Sequence, residues 1–123
     1  MTIERHRSNQ RMSQAVRSGN HLYLAGQVAK NPVTDIADQT RQVLASIEEL
    51  LALGGASKEL LISAMIWVAD MDDFAAMNVV WDAWISSENP PVRACVQARL
   101  ARPELLVEIQ VIAQCVNSGV GEP

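Results

Sequence analysis

Two segments near the end of the chain constrain its fold most: Val92 to Leu100, and Leu105 to Gln114. Each alternates apolar and polar residues, and a period of two is the mark of a strand. In the first, Val92, Ala94, Val96, Ala98 and Leu100 share an inward face, and Arg93, Cys95, Gln97 and Arg99 the outward one. In the second, Leu105, Val107, Ile109, Val111 and Ala113 point one way, and Glu108, Gln110 and Gln114 mostly the other. A turn near Ala101-Arg102-Pro103-Glu104 makes the pair an antiparallel hairpin. In that register Cys95 lies roughly opposite Glu108 and Arg93 roughly opposite Gln110, all on the polar face. A guanidinium that grips carboxylates as a fork then sits beside a carboxylate able to move a proton. The same two residues also read as a surface pair worth under about 1 kcal/mol.

The rest of the pattern supplies a scaffold. Met12 to Arg17 and His21 to Val28 read as strands around a Ser18-Gly19-Asn20 turn. Ile36, Thr40, Val43, Leu44, Ile47, Leu50 and Leu51 recur at helical spacing, so a helix spans Asp35 or Ile36 to Leu53. Asp35 and Asp38 suit its N-terminal end, and Gly54-Gly55 stops it. A short helical turn starts at Ser57 or Lys58. Leu61 to Ala69 is a strand apolar on both faces, so both faces need cover. In a short chain, helices cover one face and a second copy is the simplest cover for the other. Asp70 caps a second helix, from about Asp72 to Ser86, with Asp73 completing a capping box. Phe74, Met77, Trp81, Trp84 and Ile85 form its stripe, read as core, and Asn78 stands beside it. The order is strand, strand, helix, strand, helix, strand, strand. It predicts an α+β fold with two helices on one face of a mixed, mainly antiparallel sheet.

With 123 residues, the chain is one domain, 1–123, with an N-terminal arm over 1–11 and a flexible tail over 117–123. No apolar run approaches the roughly 20 residues of a membrane span. No secretory signal pattern opens the chain, so cytoplasm is the expected location. Net charge is −4, which argues against nucleic acid as a partner. The basic stretch Arg5, Arg7, Arg11 and Arg17 reads as a solvated or interface tail. Cys95 and Cys115 lie too far apart along the sheet for a disulfide. No cysteine or histidine spacing matches a zinc site.

The chain resembles the RidA/YjgF family of enamine/imine deaminases from about Met12 to Gln114. The matching pieces stand in order: Ser13-Gln14-Ala15-Val16, Ser18-Gly19-Asn20, Tyr23-Leu24-Ala25-Gly26-Gln27-Val28 and Gln39-Thr40-Arg41-Gln42-Val43-Leu44. Then come Gly54-Gly55, Trp67-Val68-Ala69-Asp70-Met71-Asp72-Asp73-Phe74, Met77-Asn78 and Pro91-Val92-Arg93-Ala94-Cys95-Val96. Glu108, within Val107-Glu108-Ile109, follows fifteen residues after Arg93. The resemblance implies a fold like the trimeric chorismate mutases, and homotrimers with a pocket between each pair of neighbours. It implies that Arg93 binds the substrate carboxylate, that Cys95, Gly26 and Asn78 line the pocket, and that Glu108 positions or activates water. Met12 stands where the family's best-known members have tyrosine, Ala25 where serine or threonine is common, and Ala94 where several have serine. The implied pocket is less rich in hydroxyls.

The expected activity is hydrolysis of 2-imino acids, or their enamine tautomers, to 2-oxo acids and ammonia. The reaction requires no metal or organic cofactor. The expected ligands are small 2-imino and 2-oxo carboxylates. A pyridoxal-phosphate dehydratase, or a flavin enzyme oxidising amino acids, is the implied source of imine. Two alternatives stand beside this: a non-catalytic trimer that senses small carboxylates through Arg93, and the ribonuclease activity the family label also carries. A nucleophilic Cys95 lacks a recognisable histidine partner.

Overall fold

The computed structural model describes residues 2–116; the tail expected over 117–123 lies outside them. Eight-residue strands at the centre and short strands at the rims build one sheet. The strands are β1 (Ile3–Ser8), β2 (Ser13–Ser18), β3 (His21–Leu24), β4 (Gln27–Val28), β5 (Leu61–Val68), β6 (Val92–Gln97) and β7 (Val107–Gln114). Their spatial order is β1-β2-β3-β7-β5-β6, with β4 also paired to β7. Helices α1 (Ile36–Gly54) and α2 (Phe74–Trp84) follow β4 and β5. The α+β class with two helices on one face of a mixed sheet is as expected. No helix among the described residues is long and apolar enough to cross a membrane.

The helix α1 begins where an acidic cap is available. The Asp38 amide donates to Asp35 Oδ1 at 2.9 Å, satisfying an otherwise orphaned donor. It ends where Gly55 takes a φ of 84°, a left-handed conformation costly for any side chain. Its buried stripe of Val43, Leu44, Ile47 and Leu51 packs with Ile66 and Val68 of β5, Val107, Ile109 and Val111 of β7, and Met77 of α2. Full burial of such side chains stabilises by about 1.5–3 kcal/mol each before entropy is counted.

Four sequence expectations need correction. The N-terminal residues read as an arm form β1, antiparallel to β2. Its basic side chains are partly spent on α1: Arg7 pairs with Glu49, holding that carboxyl below its ordinary value. Arg17 donates to Gly54 O at 3.3 Å, favourable at a helix C-terminus. Second, Asp70 caps a 3-10 turn over Met71–Asp73, and α2 starts only at Phe74 with no side-chain bond from Asp73. Third, α2 ends at Trp84 rather than Ser86.

The fourth correction matters most. β6 and β7 are not a hairpin. β5 lies between them, parallel to β6 and antiparallel to β7. The doubly apolar β5 takes an interior place in the sheet, between β7 and β6, with Ala64, Ile66 and Val68 buried on its helix side. The α2 crossover delivers β6 in parallel, as connections of this length do. The connection over 98–106 is pinned instead by Gln39, fully buried on α1. Its Nε2 donates to Glu104 O at 2.9 Å, and its Oε1 accepts from the Leu106 amide at 2.9 Å.

Candidate functional site

The register decides which side chains share a face. Arg93 stands opposite Ala64, and Cys95 opposite Ile66; both partners are buried beneath the helices. Glu108 stands opposite Trp67, which in turn faces Val96. Arg93 and Cys95 therefore belong to the helix-covered face, and Glu108 to the other. Val92, Ala94 and Val96 share that other, uncovered face with Glu108, the reverse of the inward placement expected for them. Alternation gave the two faces of β6, but on an edge strand the apolar one need not be the one its own helices cover.

Two separate half-sites result. On the helix side, Arg93 NH1 donates to Asn78 Oδ1 at 2.8 Å. The guanidinium carbon lies 5.8 Å from the Phe74 ring centre and 5.4 Å from that of Trp81. Phe74, Asn78 and Trp81 recur at positions four and three apart on α2, so one helix face presents all three to β6. Cys95 follows two residues after Arg93, half-buried against the core. Burial pushes its thiol up, and the nearby Arg93 charge only partly offsets this. That environment disfavours the thiolate a nucleophile needs.

On the open face, Glu108 packs against Gly26. A Cβ added at Gly26 would collide with the Glu108 carboxylate, so only glycine admits the carboxylate there. Gln27 and Val28 pair with Ile109 and Glu108, which fixes the approach of this backbone. The same face carries Tyr23, Met65, Trp67, Val92 and Val96. Val92 is 72% exposed and Tyr23 46%, and a contiguous apolar surface of this kind marks a contact site.

The expected site residues thus fall into two groups. Arg93, Asn78 and Cys95 come together, and Glu108 and Gly26 come together. The two groups do not meet within one chain. Phe74 and Trp81 were read only as core; their spacing to Asn78 was the available signal for a role beside the arginine. A cavity of about 770 Å³, lined by Gln97, Arg99, Arg102 and Leu105 among others, contains none of these residues.

Comparison with known proteins places the fold. The family described as endoribonuclease L-PSP matches residues 2–115. A RutC family protein of Haemophilus influenzae is 42% identical over 116 residues, covering 94% of this chain and all of that protein. The RutC family protein YoaB of Escherichia coli is 42% identical over 113 residues, covering 92% of this chain and 98% of its own length. A crystal structure of a YjgF family member from Neisseria meningitidis superposes with a TM-score of 0.92 at 43% identity, covering 96% of this chain and 98% of that one.

Proposed function

As the chain belongs to the YjgF/RutC family, described also as endoribonuclease L-PSP, we propose that it hydrolyses 2-imino acids and their enamine tautomers to 2-oxo acids and ammonia. The single observation that carries this reading is the division of the site. Arg93 and Glu108 are the two groups the reaction needs, and they lie on opposite faces of one sheet. A pocket holding both is built when the Arg93 edge of one copy meets the open, partly apolar face of another. A closed ring of three such contacts gives a homotrimer with a pocket at each junction.

The chemistry asks little of the protein. Arg93 takes the substrate carboxylate in a bidentate grip. Glu108 of the neighbouring copy orients water and accepts its proton as the oxygen adds to the protonated imine carbon. The nitrogen of the resulting 2-amino-2-hydroxy acid takes that proton back from Glu108, and Glu108 then removes the hydroxyl proton as the C–N bond breaks and the 2-oxo acid forms. The departing ammonia carries this last proton away as ammonium, which returns Glu108 to its carboxylate form. Backbone groups at Gly26 and Cys95 hold the nitrogen end. Placing water, carboxylate and imine together supplies much of the acceleration, and no cofactor takes part. Enzymes that dehydrate or oxidise amino acids generate such imines and are the functional partners of this activity.

Ammonia release from 2-iminopropionate generated in situ, and from bulkier imino acids, tests the reading against buffer alone. Acceleration above buffer is the expected result. Retained 2-oxo acid binding with no acceleration for any imino acid would replace the enzyme by a carboxylate sensor. The ribonuclease reading is opposed by the net charge of −4, since phosphate backbones recruit cationic surfaces.

A further inference from the structure

Arg93 stands on β6, an edge strand, and is itself exposed. A long side chain there has many rotamers and little to hold it. Yet its guanidinium is fixed from several directions by one helix. Asn78 Oδ1 takes NH1 at 2.8 Å, and the Trp81 and Phe74 rings lie 5.4 and 5.8 Å from its carbon. Both fall within the roughly 6 Å over which a ring attracts a cation.

We propose that Trp81, assisted by Phe74, is a positioning residue that holds the Arg93 guanidinium ready for a carboxylate. The proposal rests on the carboxylate-binding role given above to Arg93. The choice of holding groups is the argument. Among the described residues Arg93 makes no ion pair. An acidic side chain would orient the guanidinium equally well, but it would also neutralise the charge and occupy the fork. Two rings and an amide oxygen orient it while leaving the full positive charge, Nε and NH2 available to a ligand.

The holder is itself held. Trp81 is 5% exposed, and its ring lies 5.6 Å from that of Trp84. Trp84 Nε1 donates to Glu48 Oε1 of α1 at 2.6 Å, and Lys58 Nζ lies 5.3 Å from the Trp84 ring centre. The side chain that fixes Arg93 is thereby tied to both helices rather than to the edge strand. Preorganisation of this kind lowers the ordering cost on binding.

Trp81→Leu and Trp81→Phe test the proposal together. In the wild type, the Arg93 side-chain N–H resonances are expected to be displaced by the ring currents; Trp81→Leu loses most of that displacement and Trp81→Phe keeps much of it. Calorimetric binding of 2-oxobutanoate weakens about tenfold in Trp81→Leu, within the range of a ring–cation contact, and stays within about threefold in Trp81→Phe. KM for imino acids rises in parallel while kcat changes little. Hydrolysis of the imine of pyruvamide, which lacks the carboxylate, is unaffected. Unchanged 2-oxobutanoate affinity in Trp81→Leu overturns the proposal, as does an equal loss in both variants, because bulk packing would then suffice. The proposal and the deaminase reading fail separately. Weakened 2-oxobutanoate binding by Trp81→Leu, with no imine hydrolysis by the wild type, sinks only the second.

Discussion

Arg93 and Glu108 stand on opposite faces of the same sheet, their strands separated by β5. Arg93 turns toward α2 and Glu108 toward the side without helices. No rotamer change brings the two together around one small substrate within a single chain.

Complementation follows from this separation. Arg93→Lys keeps the charge but loses the planar fork, and is expected to raise KM for imino acids severely while leaving assembly intact. Glu108→Gln keeps shape and removes the base, and its kcat should fall roughly 10²–10⁴-fold. Co-expressed in equal amounts, the two variants should form mixed trimers in which about one pocket in three is fully wild type, since each pocket takes one residue from each neighbour. The assay is ammonia release after co-purification through two different tags. No recovery, with trimers confirmed by light scattering, places both residues in the same copy's site.

Binding separates from turnover in Glu108→Gln. Affinity for 2-oxobutanoate should be unchanged or slightly tighter, because a negative charge leaves the pocket while Arg93 keeps its grip. Calorimetry reads this directly. A large loss of affinity would give Glu108 a binding role instead of a proton-transfer role.

Gly26→Ala probes the same carboxylate from its other side. The added methyl collides with Glu108 and displaces it from its present position. Since misplacement by about 1 Å can cost about 10²-fold, kcat is expected to drop strongly with little change in thermal stability. Full activity in Gly26→Ala would mean that Glu108 acts from another rotamer.

Acid chemistry at the start of α2 gives a prediction independent of catalysis. Burial first, then Asp70 and Asp72, push the Asp73 carboxyl above its ordinary 3.8. The folded state therefore takes up this proton more readily than the unfolded state. The charged carboxylate costs stability at neutral pH, and the cost disappears as pH falls through the raised value toward 3.8. Asp73→Asn should gain about 0.5 kcal/mol at pH 7, with the gain over wild type shrinking in acid. Thermal unfolding of both proteins at pH 7 and pH 4 measures it. A gain that grows in acid would reverse the assignment.

The sequence carried α1 almost to the residue, because a helix of this length repeats its apolar signal and both of its stops, Asp35 and Gly55, have a local physical cause. It carried the face of Glu108 on β7 for the same reason. It did not carry the partner of β6. Pairing between distant strands leaves no local mark, and a nine-residue link over 98–106 is compatible with a hairpin until Gln39 is seen to hold it elsewhere. The faces of β6 were inverted because alternation is symmetric and only neighbouring strands break that symmetry. Alternation puts Arg93 and Cys95 on one face of their strand, and family resemblance brings Asn78 to them; the aromatic setting of Arg93 needs the register and the helix in three dimensions.

The parallel placement of β6 also has a kinetic side. Local turn closure cannot seed it, since β5 and β6 are joined only through the whole α2 crossover. Such pairings form only after a large loop has been closed. With β5 as its single partner in the sheet, β6 belongs among the segments expected to open at low free energy and exchange their amide hydrogens early. The arginine thus rides on a strand that the chain completes late and that can open early, and whatever occupies its guanidinium also holds that edge of the sheet closed.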